Sequence, residues 1–297
     1  METTVNESLF NRDFIQNYIT EYVSKALRVV PMMDYQETDA DNYVWYKEDQ
    51  SPEADITDGK MALPEKVASG AELLEVSTSG LTAQAQPVVM KGYKLRVEDR
   101  KLKQNGQSIL RFIKRLSYGM ARVLEAQTVS ALVAGASAPT ASLKDGAWDD
   151  STAIDIDAIR MQDAFDDDSL DLELDTALLH STNLREVREF LVRKGYTNVP
   201  REPTIEELQF KYGGRNMTEG YSIGFDSKNP PATVVYGFEP GAHNAAALKG
   251  MEGYKPLINV KVKSIDDEIP AKTEIYMATI STVAVELGEG IQRQSGL

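Results

Sequence analysis

The densest group of side chains able to do chemistry is acidic. Residues 163–175, DAFDDDSLDLELD, crowd carboxylates into one short stretch that invites a divalent cation. A calcium loop of the EF-hand kind needs liganding oxygens in regular alternation, a central glycine and a closing glutamate. The segment has no such pattern, so a solvated acidic loop is the favoured reading and weak cation binding the alternative. A second acidic stretch, residues 34–58, carries Asp49, Glu53, Asp55 and Asp58. It reads either as solvated or as a surface that pairs with basic residues of another molecule.

Nucleophilic chemistry finds little support. His180 precedes Ser181, but adjacent strand positions point to opposite faces, which prevents the pair from acting as base and nucleophile. A capping or core histidine is expected there. His243 sits in a Gly/Ala/Asn loop without a partner, and YGGRN at residues 212–216 lacks the Gly-Lys-Ser/Thr ending of a P-loop and reads as a turn. Cysteine is absent, which removes disulfides, thiolate metal sites and cysteine nucleophiles together. Two histidines cannot build a multi-histidine metal centre. No catalytic residue, metal ligand or cofactor is expected; the rival reading is an acidic metal-dependent enzyme using residues 163–175.

The basic residues are more suggestive. Arg111, Lys114, Arg115 and Arg122 lie on a strongly helical segment. They form either a solvated face or a surface that meets acidic loops of adjacent subunits. Such contacts are weak singly and stronger as a network. The net charge of −14, with 32 basic residues in 297, disfavours a protein that grips nucleic acid, because tight binding needs a surface that neutralises phosphates. It suits a container wall that touches packaged DNA without holding it, and equally a plain acidic protein.

These side chains need elements to position them. Residues 9–27 repeat apolar side chains at helical spacing and stop before Pro31, as the steric demands of proline require. Residues 34–80 lose that period; runs at 43–46 and 73–76 read as strands of a long open hairpin that finds partners on another molecule. Residues 86–97 alternate as a strand. Residues 106–134 are the strongest helical signal, with Ile109, Ile113, Leu116 and Met120 on one stripe, Asn105 as N-cap and Gly135 as C′ residue. Such a helix spans roughly 40 Å, long for one compact domain. A helix at 155–165, a buried strand at 175–180 and a helix capped by Asn183 through Lys194 follow. Residues 196–257 read as irregular with one strand at 233–236, and 257–265 and 272–285 read as strands. The final QRQSGL reads as loosely ordered. No run of apolar residues is long enough to span a bilayer, and the acidic N-terminus lacks the order of a secretion signal, so a cytosolic origin is the default.

In this order the elements resemble the Hong Kong 97 capsid fold. The resemblance is carried by VVMKGYKLRVEDRKL leading into SILRFIKRLSYGMARVLEAQTVSAL, then DIDAIRMQDAF, TALLHSTNLREVREFLVRKG and the closing TEIYMATISTVAVEL. Ser181 stands where the family often has proline. The resemblance implies an α+β chain with an N-terminal arm (1–38), an extended hairpin loop (39–85), a peripheral domain with its spine helix (86–150), an apical domain (151–257), and return strands with a tail (258–297). It implies a major capsid protein of a tailed bacterial or archaeal virus that self-assembles as hexamers and pentamers of an icosahedral shell. Scaffolding, portal and decoration proteins are the further partners implied. Double-stranded DNA would be touched non-specifically, no membrane would be involved, and assembly would occur in the host cytoplasm. An encapsulin shell is the alternative. With residue 1 as the native start, no large N-terminal scaffolding region precedes the arm.

Overall fold

A computed structural model describes residues 12–48, 81–136, 147–148, 153–166, 172–237, 258–265, 272–286, 288 and 290–297. In chain order the elements are α1 (Arg12–Ala26), a 3₁₀ turn (Val30–Met32), β1 (Asp34–Thr38), β2 (Asn42–Glu48), β3 (Leu81–Pro87), β4 (Val89–Glu98) and α2 (Asp99–Gly135). Then come α3 (Ile154–Asp166), β5 (Thr176–Leu179), α4 (Ser181–Arg193), β6 (Thr204–Ile205), β7 (Leu208–Tyr212), β8 (Tyr221–Phe225) and β9 (Ala232–Gly237). The last are β10 (Asn259–Ile265), β11 (Lys272–Val285) and β12 (Gln292–Ser295). No helix among them is long and apolar enough to cross a membrane.

Strand β11 organises the first sheet. Its β-branched alternation favours extended backbone. It pairs antiparallel with β4 along one edge and, along the other, first with β10 and then with β9, which carries β1 in parallel. The second sheet runs β12-β8-β5-β7-β6. Strand β5 is buried along its whole length, as expected of a strand covered on both faces. Leu178 points into the core shared with the long helix, while Ala177 and Leu179 point into a second core under α3 and α4. Alternation of side chains across the strand is what lets four residues serve two cores.

Helix α2 is the spine that joins these layers. It holds 37 residues, roughly 55 Å of rise. Ile113, Met120 and Leu124 pack on the first sheet and α1, and Val129 and Leu132 continue into the same core, which reaches Leu178, Ile223 and Phe225 of the second sheet. The helix begins well before the expected start. Strand β4 is paired with β11 up to Glu98, and the chain turns directly into helix there. Asn105 is therefore an interior residue and not the N-cap; Glu98 holds that position without a side-chain cap bond. Gly135 is the last helical residue, not a left-handed cap: a Cβ there would lie 2.6 Å from Val285 Cγ1.

Other expectations change as well. The expected strand at 86–97 breaks at Val88, whose N–H donates to Asp41 O at 2.9 Å, giving β3 and β4 separate partners. Hairpin strand β2 pairs with β3, Tyr43 opposite Gln86; residues 73–76 lie outside the described residues. Residues 196–237 hold four strands where one was expected. Helix α4 is capped by His180, whose Nδ1 accepts the Thr182 N–H at 3.4 Å, while Asn183 is buried and its Oδ1 accepts from Gly220 N at 3.2 Å. The tail is ordered as β12, with Gln292 and Gln294 buried against β8. Strand β9 joins the first sheet and β12 the second, so strands cross between the expected apical and peripheral segments.

Gly92 marks a place where backbone closeness dictates the residue. A Cβ there would meet Met277 O of the paired strand at 2.5 Å. Gly92→Ala must push β4 off β11 locally and is expected to cost about 1–3 kcal/mol. Urea denaturation of the unassembled subunit measures it, and native-like stability would show that β4 shifts freely.

Candidate functional site

Helix periodicity puts the basic residues on one face. Arg111, Arg115, Tyr118 and Arg122 follow one another at i, i+4, i+7 and i+11, with Lys114 at the flank, opposite the buried stripe of Ile113, Met120 and Leu124. Arg111, Arg115 and Arg122 are exposed and make no ion pair among the described residues. Lys114 is held differently: its Nζ stands 4.4 Å from the centroid of the Tyr22 ring, a cation–π contact supplied by α1. Tyr22 in turn meets Tyr118 edge-on at 6.1 Å and Tyr18 at 4.7 Å. An aromatic row thus fastens α1 to the spine beside the basic face.

The row ends at Glu125, a buried carboxylate that the sequence reading did not single out. It accepts the backbone N–H groups of Arg28, Val29 (3.0 Å) and Val30 (3.4 Å). These donors open the 3₁₀ turn, whose own N-cap residue, Val29, supplies no side-chain bond. Burial pushes the Glu125 carboxyl above its ordinary value; the three N–H groups and Arg28 pull it back only in part. Its one signal in the sequence is a lone acid within the mostly apolar VLEAQTVSAL.

Beside Glu125 lies a hollow of about 460 Å³ to which Arg28, Arg122 and Arg215 contribute. Arg215 belongs to the Tyr212–Asn216 segment, where Gly214 turns the chain at φ +85°. YGGRN is a turn, as expected.

On the far side of the first sheet, Met90, Gly92, Lys94, Lys263 and Tyr276 line a larger hollow of about 700 Å³. Two of these residues are held by Glu274, 2% exposed, which takes Lys94 Nζ at 2.9 Å, Arg96 Nε at 2.7 Å and the Tyr276 hydroxyl. The Tyr276 hydrogen bond above all, then those from Lys94 and Arg96, holds this carboxyl at about 2. Because the folded value lies below the ordinary 4.5, the stability it contributes is complete above that value and lost as pH falls toward 2. Acid unfolding of Glu274→Gln is expected to lack this limb; an unchanged acid transition would remove the role.

Asp49, Glu53, Asp55 and Asp58, the acidic half of the expected contact, lie outside the described residues, as does His243. The 163–175 cluster is partly described and does not converge. Asp163 is exposed, Glu173 pairs with Lys228 at 3.1 Å, and Asp175 accepts from Ser227 N at 2.8 Å and Oγ at 2.6 Å. No group of three or more potential metal ligands occurs among the described residues. Ser181 opens α4, and the His180 nitrogen that would activate it is spent on the cap.

Hairpin β2–β3 is tied to the first sheet through its aromatic side chains. Trp45 Nε1 donates to Val285 O at 3.0 Å and stacks on Tyr43 at 5.9 Å. Val44 and Tyr46, on the opposite face, are exposed at 57% and 62%. Apolar side chains this open on a strand fit a surface that another molecule covers.

Comparison with known proteins agrees with this geometry. Residues 84–279 match the family described as phage capsid protein. A search against curated protein sequences found no match. Among solved structures, a phage-related protein from Bordetella bronchiseptica superimposes with a TM-score of 0.56 at 13% identity, covering 94% of this chain and 96% of that one. The capsid of an empty GTA particle gives 0.58 at 10% identity, covering 91% and 90%. An encapsulin complex from Synechococcus elongatus gives 0.53 at 11% identity, covering 91% and 86%. At these identities the superpositions establish a shared α+β capsid fold and nothing finer.

Proposed function

The chain belongs to the phage capsid protein family, and from that premise we propose that it is the major capsid protein of a tailed bacterial or archaeal virus. It assembles with copies of itself, as hexamers and pentamers, into an icosahedral shell around the genome. The observation that carries this reading is the family match, which spans the complete spine helix and runs into β11. The work is mechanical and involves no bond chemistry: repeated heterologous contacts close into rings and the rings into a shell. The contact we assign places Asp49, Glu53, Asp55 and Asp58 of one subunit against Arg111, Lys114 and Arg115 of the next, with Arg122 at the inner end of the row. Scaffolding, portal and decoration proteins are further partners, DNA is touched non-specifically, and assembly takes place in the host cytoplasm.

Negative-stain microscopy of the purified chain tests the reading: closed shells or rings are expected, and a strictly monomeric protein at high concentration would sink it. An encapsulin shell is the second reading, favoured by helix α1, which packs along the spine through Tyr18 and Tyr22. Particles recovered from their host separate the two. Nuclease-protected double-stranded DNA inside supports the virus, and an enzyme cargo supports the compartment.

A further inference from the structure

Three exposed arginines from three separate elements face one hollow. Arg28 follows α1, Arg122 lies on the spine and Arg215 sits in the loop between β7 and β8. None makes a salt bridge among the described residues, and the one carboxylate that lines the hollow, Glu125, attracts Arg28 alone. The carboxylate beside them is already committed, since Glu125 accepts backbone N–H groups from Arg28, Val29 and Val30. Lys25, at the rim, is paired with Glu21. Like charges gathered from distant parts of the chain repel one another, and an anion seated among them converts that repulsion into attraction.

The donors around the hollow narrow the kind of anion. One guanidinium fork is enough to occupy both oxygens of a carboxylate. Here there are three forks, with Tyr118, Tyr212 and Asn216 completing the wall. A tetrahedral oxyanion of higher charge matches that supply, and Arg is the residue suited to bidentate phosphate contacts. At about 460 Å³ the hollow admits a group as large as pyrophosphate or a nucleotide phosphate. Its walls are also strategic, because one bound anion would tie the arm, the spine and the second sheet together.

We propose that the Arg28–Arg122–Arg215 pocket is a phosphate-binding site. Its ligand is either a free phosphate or pyrophosphate, or the phosphodiester backbone of a nucleic acid. The site does not depend on the acid-to-spine contact assigned above, because Arg28 and Arg215 lie off that row.

The test is thermal unfolding of the purified full chain at fixed ionic strength, with sodium pyrophosphate, with citrate as a carboxylate control, and with a short single-stranded oligonucleotide. Pyrophosphate is expected to raise Tm in a saturable way, as binding to the folded state alone requires. Citrate at matched ionic strength is expected to do much less. The double variant Arg28→Ala/Arg215→Ala should bind pyrophosphate at least about tenfold more weakly, while Arg188→Ala, on the exposed face of α4, binds as the native chain does. Circular dichroism confirms that the double variant is folded, and Arg215→Lys, which keeps charge but loses the fork, should fall between. An oligonucleotide that competes with pyrophosphate supports the nucleic-acid source, and one that does not supports the free anion. An equal response to citrate, or undiminished binding by the double variant, overturns the site.

Discussion

Replacing Glu125 with alanine is expected to destabilise the unassembled subunit by about 3 kcal/mol, most of it from backbone N–H groups left without acceptors in a buried place. Glu125 is 6% exposed, and its oxygens serve Arg28, Val29 and Val30 at once. Water from the adjoining hollow would have to enter beside Val29 and Val30, which are fully buried in the core. Glu125→Gln keeps one acceptor oxygen and removes the cost of burying a charge, so it should recover most of the loss. The pH dependence separates these terms. The carboxyl is raised in the folded state, so its favourable contribution is greatest when protonated and is lost as pH rises from the ordinary carboxylate range through the raised value. Glu274 works in the opposite direction, losing its contribution as pH falls toward 2. Urea midpoints between about pH 3 and pH 8 should therefore show the decline on the rising side vanish in Glu125→Gln, while the acid limb persists. An alanine variant as stable as the native chain would remove the capping role.

The spine was legible because its apolar stripe is long and regular, and that same periodicity put Arg111, Arg115 and Arg122 on one face. Its first turns were not, since residues 99–105 offer a single apolar side chain, Leu102, too few to show a period; what fixes them as helix is the pairing of β4 with β11 up to Glu98. The second sheet was mostly hidden for a related reason. The turn joining β6 to β7 uses Glu206 and Glu207 at φ 47° and 68°, where asparagine and glycine are the usual markers. Strand β12 is buried through glutamines, which hydropathy reads as surface; Gln294 Oε1 instead accepts from Ser222 Oγ at 3.4 Å. The cap at Glu125 joins residues 95–97 positions apart, a distance across which no local pattern can speak.

Arg115→Glu is expected to abolish shell formation at ordinary salt and leave the subunit's own melting temperature unchanged. The side chain is exposed and unpaired among the described residues, so the monomer has nothing to lose with it. One exposed pair is worth no more than about 1 kcal/mol, which would be negligible in a monomer. Assembly multiplies it. A ring of six repeats the contact six times, and reversal replaces each attraction with a repulsion, so the ring loses roughly 6 kcal/mol or more, about four orders of magnitude in its equilibrium constant. Arg115→Lys should assemble with reduced yield, because charge survives while the bidentate fork does not. Raising salt should weaken native assembly and narrow the gap between native and variant, since both follow from exposed charges. A compensating reversal, Glu53→Lys with Asp55→Lys, should restore rings when combined with Arg115→Glu and fail alone. Sedimentation and microscopy of the native chain and these variants provide the readout. Normal shells from Arg115→Glu would dismiss the contact, and failure of the compensating pair would move the acidic partner away from residues 53 and 55 while leaving the basic face of the spine in place.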